Sequence, residues 1–323
     1  MSLNGARGAA DGAAVPLSPG DLAESALGAV GTGASEVLVH PRTPCGRESL
    51  SPRVVGPVLE ALRGAGVSVP LSVCASVAAE QDPAGRLERV RSWTVLPDRA
   101  VVHFAEPGAA ELARALLARG VAVDAVVAVG ADPEEGAAGC AAAAVRVADA
   151  AGAARAVGTA GAAGAVGAAG AAGAWGGVGV AGVGPLARFL ASRGPERAGA
   201  ARVRPAVELA GAAAAADPAA VAGLVAALRR PAVGPVLLYG RGAAAWPVLR
   251  SAVRCGADAR IGLGDVLRLP DGRPAGSNAA LVAAAQEAAG AGAAGRRGAT
   301  GGGGGVGGGG GGVGGGGATA ASR

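Results

Sequence analysis

Short runs of β-branched residues alternate with amphipathic stretches rich in Ala, Leu and Arg along most of the chain. The apolar runs predict strands at residues 2–5, 36–40, 67–73, 100–104, 121–127, 145–148, 236–239 and 259–263. The stretches between them predict helices at residues 51–64, 83–94, 109–119, 133–143, 218–229, 243–255 and 278–289. Such alternation favours a parallel sheet with helical crossovers. Eight strands within about 290 residues fit an α/β fold of the (β/α)8 (TIM) barrel type better than an open sheet.

Two segments interrupt this alternation. Residues 152–201 are mostly Ala and Gly, and residues 291–323 are mostly Gly. A Gly-rich chain cannot bury enough apolar surface to offset the entropy lost on ordering. We therefore expect one barrel domain over residues 1–290, with a low-complexity insertion at 152–201 and a disordered tail at 291–323. Although residues 156–187 carry no charge, Ala and Gly insert poorly into lipid, so no membrane span is expected.

Composition argues against nucleic acid as a partner. The net charge is +5, but all 29 basic residues are Arg and they are scattered among Asp and Glu, while aromatic residues make up only 2%. A nucleic-acid binder usually clusters its basic residues and adds aromatic side chains for stacking. The 4 cysteines form no C-x-x-C pair, which is typical of reduced thiols in a cytoplasmic protein.

Polar side chains gather at the predicted carboxyl ends of the strands, where a (β/α)8 barrel carries its chemistry. They are Asn4, His40, Arg42, Ser72, His103, Glu106, Asp124, Tyr239, Arg260 and Asp265. For His103 the alternatives are a metal ligand and a hydrogen-bonded, partly buried imidazole. For Glu106 they are a functional role and a carboxylate at the start of a helix. In a chain dominated by Ala and Val, this gathering predicts a site.

An ordered set of short strings occurs at these strand ends. They read SLNGAR at 2–7, VHPR at 39–42, GRESL at 46–50, LPD at 96–98, FAEPGA at 104–109, LLYG at 237–240, AWPVL at 245–249, RIGLGD at 260–265, LPDG at 269–272 and NAALV at 278–282. Their order and spacing resemble the β-keto acid cleavage enzymes, the family that includes 3-keto-5-aminohexanoate cleavage enzyme. The resemblance covers residues 2–150 and 215–290.

This resemblance implies a zinc-dependent (β/α)8 barrel that converts a β-keto acid and acetyl-CoA into acetoacetate and an acyl-CoA. The family holds zinc with the two His of an H-x-H-P motif and the Glu of a G-L-E-D motif. The three positions fall here on Leu38, His40 and Gly264. Only His40 can ligate a metal, so the zinc site is expected to be degraded.

The resemblance also assigns roles to four further residues. Arg260 matches an arginine that contacts the substrate carboxylate, and Asp265 matches an aspartate implicated in proton abstraction. The alternative for this pair is an ion pair that caps a strand. Ser72 matches a substrate-binding serine. Arg7 stands where one branch carries a Glu that contacts an amino group, so it favours an acidic or neutral substrate.

Three functions are compatible with these residues. One is an active, zinc-dependent acyltransferase. Analogy with the family also suggests a homo-oligomer. The second is a catalytically silent relative, a pseudoenzyme that binds an acyl or CoA-type ligand or serves as an assembly partner. The third is a metal-free enzyme with Asp265 as the base and Arg260 as the electrophile.

Overall fold

One curled sheet organises the chain. The structure, a computed structural model, describes residues 1–130, 180–192, 202–210, 218–229 and 235–299, the last nine of these by their backbone alone. Its strands are β1 (Val37–Val39), β2 (Leu71–Cys74), β3 (Arg99–His103), β4 (Ala122–Val129), β5 (Val180–Ala181), β6 (Val203–Leu209), β7 (Leu237–Gly240) and β8 (Asp258–Ala259). Seven strands run parallel in the order β1-β2-β3-β4-β6-β7-β8, and β5 pairs antiparallel with β4. This confirms the predicted parallel α/β sheet.

Helices connect the parallel strands. They are α1 (Pro19–Gly31), α2 (Pro52–Gly64), α3 (Pro83–Arg91), α4 (Ala109–Ala118), α5 (Val183–Ala191), α6 (Pro218–Leu228), α7 (Ala245–Cys255) and α8 (Asn278–Ala299). Local sequence explains where several of them begin. Proline opens α1, α2 and α3, where no backbone N–H is needed. Ser18 caps α1 through a reciprocal pair of hydrogen bonds with Asp21, and Asp82 caps α3 by accepting from the N–H of Gly85 at 2.8 Å.

The amino-terminal segment lies between the two ends of this sheet. The N–H of Leu3 donates to the carbonyl of Leu38 at 2.9 Å, next to β1. On the other side, the N–H of Ser2 donates to the Ile261 carbonyl at 3.2 Å, and the N–H of Gly264 donates to the Ser2 carbonyl at 3.1 Å. The strand predicted at residues 2–5 is therefore an isolated bridge, Ser2 to Leu38, that joins β1 to the segment after β8.

Inside the curled sheet, side chains form layers because alternate residues of a strand face the same side. A buried, mostly apolar layer crosses the middle and comprises Leu38, Cys74, Val101, Val126, Ala206, Leu237 and Tyr239. Toward the amino ends of the strands lies an ionic cluster, which we define as Glu36, Ser72, Arg99, Asp124 and Arg204.

Asp124 is the centre of the ionic cluster, and its side chain is 2% exposed. Its two oxygens accept from Arg204 Nε at 2.8 Å and Nη2 at 2.7 Å, and Arg99 Nε donates to it at 3.0 Å. Burial alone would raise the pKa of Asp124, but Arg204 and Arg99 outweigh it, and the pKa is lowered. Asp124 was predicted at a carboxyl strand end; this was wrong, because β4 continues for five residues beyond it.

Several other boundaries differ from prediction. Helix α1 and strand β6 were not predicted, and β5 and α5 fall within the range expected to be a low-complexity insertion. The strand predicted at 259–263 is confined to Asp258–Ala259, and α8 continues past residue 290, where the tail was expected to begin. The helix predicted at 133–143 and the strand at 145–148 lie outside the described residues. No helix in the described ranges has the length and apolar character needed to cross a membrane.

Candidate carboxylate-binding site

A pocket opens at the carboxyl ends of the parallel strands. Polar side chains from well-separated parts of the chain line it: Ser2, His40, Glu48, Ser76, His103, Glu208, Tyr239, Arg241, Arg260 and Asp265. Of the residues predicted to gather at the strand ends, the structure brings His40, His103, Tyr239, Arg260 and Asp265 together in this pocket.

Arg260 and Asp265 form a bidentate pair in this pocket. Arg260 Nε and Nη2 donate to the two Asp265 oxygens at 3.2 Å and 2.8 Å. The guanidinium carbon also lies 3.3 Å from the centroid of the Tyr239 ring, a cation–π arrangement. Burial works against the charge, but Asp265 and Tyr239 more than compensate and raise the pKa of Arg260, which stays cationic. Its Nη1 makes no hydrogen bond within the described residues.

Tyr239 links this pair to a second one. Its hydroxyl donates to Glu208 Oε2 at 2.7 Å, while Glu208 Oε1 lies 3.6 Å from Arg241 Nη1. Burial raises the pKa of Tyr239 well above 10, so the hydroxyl keeps its proton. Burial would also raise the pKa of Glu208, but Arg241 and the Tyr239 hydrogen bond lower it overall. Positive and negative groups thus alternate from Asp265 to Arg241.

His40 is held by its backbone. Its N–H donates to Asn4 Oδ1 at 2.9 Å, and Asn4 Nδ2 donates back to the His40 carbonyl at 3.0 Å. Its Nδ1 is buried without a hydrogen-bond partner among the described residues. Burial, followed by the charges of Arg260 and Arg241, keeps the pKa of His40 well below 6.5, so the imidazole is neutral.

Two predicted substrate-binding residues do not reach this pocket. Ser72 belongs to the ionic cluster at the opposite end of the strands, where its hydroxyl donates to Glu36 Oε1 at 3.0 Å. Its predicted place at a carboxyl strand end is therefore wrong. Arg7 Nε donates to the Leu263 carbonyl at 2.9 Å, and its Nη1 pairs with Asp11 at 3.4 Å. Neither residue is among those that line the pocket.

At two of the three positions that the family resemblance assigns to zinc, the residue present is closely packed and cannot bind a metal. Leu38 belongs to the buried apolar layer. A Cβ atom added at Gly264 would lie 2.3 Å from Ser2 Oγ and 2.6 Å from the Gly5 backbone nitrogen. Gly5 itself has φ +56° and faces the Gly264 backbone equally closely, so both positions need glycine. No group of three His, Cys, Asp or Glu side chains suited to a metal occurs in the described parts of the chain.

Glu106 has a positioning role. Its side chain is buried, and its Oε2 accepts from Arg86 Nη1 at 2.8 Å and from the N–H of Val77 at 3.1 Å. It thereby fixes the loop that carries Ser76 to the pocket.

Five polar pocket residues were not singled out from the sequence, although two of them, Ser2 and Glu48, lie within the strings SLNGAR and GRESL. Glu208 lies on β6, which follows the Ala/Gly-rich range that hides the strand pattern. Ser76 lies two residues beyond Cys74, so the alternation of β2 could have placed it on the inner side. Arg241 directly follows the LLYG string at 237–240, and its position at the end of a strand was the available signal.

The site is thus a buried arginine–carboxylate pair at the carboxyl ends of the strands of a parallel α/β fold, the end at which (β/α)8 barrels carry their chemistry. A family model described as beta-keto acid cleavage enzyme matches residues 1–156 and 196–301. The chain belongs to the β-keto acid cleavage enzyme family, as its motifs predicted.

Other comparisons add little to this assignment. No curated protein matches the chain. Among solved structures, it is similar to one described as a ternary complex of ObcA with C4-CoA adduct and oxalate, at 14% identity and a TM-score of 0.44. That match covers 85% of this chain but only 63% of the other.

Proposed function

We propose that this chain is a (β/α)8 barrel that binds the carboxylate of a β-keto acid through Arg260, and that it does so without zinc. In this barrel the segment at residues 2–3 takes the place of the eighth strand, because it hydrogen bonds to Leu38 of β1 on one side and to residues 261 and 264 on the other. The observation that carries the proposal is the state of Arg260. It is buried and permanently charged, and Asp265 occupies only two of its three nitrogens.

The free Nη1 of Arg260 supports carboxylate binding. A guanidinium has five N–H donors, and two of them belong to Nη1. Asp265 and the Tyr239 ring hold the group in one orientation, so little entropy is lost when a ligand binds. His40, which is neutral, does not compete for the same anion.

The residues present do not fit a zinc ion. A zinc site needs three protein donors at about 2.0–2.3 Å. Of the three family ligand positions only His40 carries a donor, because Leu38 is part of the apolar layer and Gly264 is packed against Ser2 and Gly5. His103 also lines the pocket, but the described residues contain no group of three side chains suited to a metal. We therefore propose a catalytically silent member of the family with respect to zinc-dependent acyl transfer from a β-keto acid to CoA.

Calorimetric titration with 3-oxopentanoate in the presence of EDTA tests this function. We expect saturable binding to the wild-type chain, and a loss of at least about tenfold in affinity for Arg260→Gln, since a charge-assisted pair is removed. Metal analysis of the purified chain and an assay of acetoacetate release with acetyl-CoA complete the test. Stoichiometric zinc together with turnover would contradict the proposal, and so would equal binding by the Arg260→Gln variant.

A further inference from the structure

Arg241 is the pocket cation with the fewest contacts. It directly follows β7, where its backbone N–H donates to the Leu209 carbonyl at 3.0 Å and fixes its position between the ends of β6 and β7. Its side chain is 31% exposed, compared with 10% for Arg260. The Arg241 side chain is therefore more accessible than that of Arg260, and both line the pocket.

The hydrogen-bonding capacity of Arg241 is unused. Its nearest carboxylate oxygen, Glu208 Oε1, lies 3.6 Å away, and no hydrogen bond from its side chain is made to any described residue. The other Glu208 oxygen is engaged by the Tyr239 hydroxyl at 2.7 Å. The charge of Arg241 is thus balanced by Glu208, while its N–H donors are left for a ligand.

Neutral donors accompany it in the same pocket. The hydroxyls of Ser2 and Ser76 are buried, line the pocket and have no hydrogen-bond partner among the described residues. A buried hydroxyl without a partner costs free energy unless something satisfies it. A ligand with oxygen atoms in addition to the one carboxylate bound at Arg260 would satisfy them.

From these contacts we infer that Arg241 is a specificity-determining residue that binds a second carboxylate, so that the pocket selects dianionic β-keto acids. The inference rests on the proposed function, in which Arg260 binds the first carboxylate. Two guanidiniums in one pocket give an acid with two carboxylates one partner for each end. A monocarboxylic acid leaves the Arg241 donors without a protein or ligand partner.

A matched pair of probes tests this inference. The probes are 3-oxopentanedioate and 3-oxopentanoate, which share a five-carbon β-keto chain and differ in the second carboxylate. We expect the wild-type chain, titrated in EDTA, to bind the dianion at least about tenfold more tightly, the equivalent of one charge-assisted contact. In Arg241→Gln this preference should fall to about twofold or less, through loss of dianion affinity alone.

Controls separate the possible outcomes. Arg250→Gln removes the same charge from the exposed face of α7 and should keep the preference. Arg241→Lys keeps the charge without the planar fork and should give an intermediate preference. Thermal melts establish that each variant is folded.

The results distinguish the two proposals. If the wild-type chain binds neither acid, the proposed function fails. If it binds both acids equally, the proposed function stands and the role of Arg241 is overturned. A uniform loss of affinity for both acids in Arg241→Gln would also overturn that role, since Arg241 would then share the first carboxylate.

Discussion

The guanidinium carbon of Arg260 lies 3.3 Å from the centroid of the Tyr239 ring, and the hydroxyl of the same ring donates to Glu208. Tyr239 thus positions two charged groups of the pocket: its ring supports Arg260, and its hydroxyl holds the Glu208 carboxylate that faces Arg241. The two effects can be separated by substitution.

Tyr239→Leu removes the ring and Tyr239→Phe removes only the hydroxyl. We expect Tyr239→Leu to weaken 3-oxopentanoate binding about tenfold, because Arg260 loses the surface that orients it. Tyr239→Phe should keep most of that affinity but lower the free energy of unfolding by about 1.5–3 kcal/mol, since Glu208 loses a buried charge-assisted hydrogen bond. Calorimetry and urea unfolding measure the two effects. Equal binding losses in both variants would contradict the role given to the ring.

Gly264→Ala should destabilise the fold. Its new Cβ would lie 2.6 Å from the backbone nitrogen of Gly5, which cannot move without breaking the bridge to β1. We expect a loss of about 1–3 kcal/mol in the free energy of unfolding, as for other overpacked sites. Gly276→Ala, at an exposed position with open space around it, is the matched control.

The same packing limits any repair of the zinc site. Leu38→His combined with Gly264→Glu restores the ligand types of the family. We nevertheless expect no stoichiometric zinc binding, because there is no room for a Glu side chain at position 264 unless residues 2–5 are displaced. Metal analysis after dialysis against zinc gives the answer. A folded double variant with one zinc per chain would contradict this expectation, since residues 2–5 would then be able to move and make room for the Glu side chain.

Asp124→Asn should be among the most damaging conservative substitutions. It removes the charge of a buried carboxylate that pairs with the partly buried Arg99 and Arg204, and we expect a loss of about 3–5 kcal/mol in the free energy of unfolding. Glu60→Gln, on the exposed face of α2, removes a charge as well and should change stability by less than about 0.5 kcal/mol.

The ionic cluster also predicts a pH dependence. The pKa of Asp124 is lower in the folded chain than its ordinary value of 3.8. The stabilisation is therefore complete above pH 3.8 and is lost as the pH falls through the lower folded value. Urea unfolding at pH 7 and pH 3 should show a smaller pH dependence in Asp124→Asn than in the wild type. An unchanged dependence would contradict the contribution of Asp124.

Ser76→Ala and Ser72→Ala distinguish the pocket from the ionic cluster. Ser76 lines the pocket with a hydroxyl that has no partner in the described chain, so its loss should weaken 3-oxopentanedioate binding. Ser72 donates to Glu36 at the other end of the strands, so its loss should lower stability and leave binding unchanged. Titration and thermal melts of both variants provide the comparison. The reverse pattern would return Ser72 to the substrate-binding role that the sequence suggested.

The sequence predicted the parts of the fold whose signals are local. The β-branched runs of β1, β3 and β4 and the amphipathic pattern of α2 and α7 stand out from an Ala/Gly background, and the predicted elements overlap the observed ones. Strand β6 was missed because it follows the Ala/Gly-rich range. Helix α1 was missed although Ser18 and Asp21 provide a capping box.

The sequence predicted which residues form the site better than it predicted how those residues contact one another. The motif gave Arg260 and Asp265 separate roles, with an ion pair as the alternative, and the structure shows them paired. Ser72 was misplaced because the length of β2 decides which end of the strand a residue occupies, and strand ends are poorly fixed by sequence. The packing of Gly264 depends on residues 2–5, a contact across the whole chain that no local pattern carries.

The apolar layer and the ionic cluster beneath it fill the interior below the pocket. Among the described residues, these two layers separate the pocket from the amino ends of the strands. If a small acid and a larger thioester were to share the described pocket, both would use one entrance, and the acid would have to enter first. Binding is therefore expected to be ordered, because a bound thioester would block the entrance for the acid.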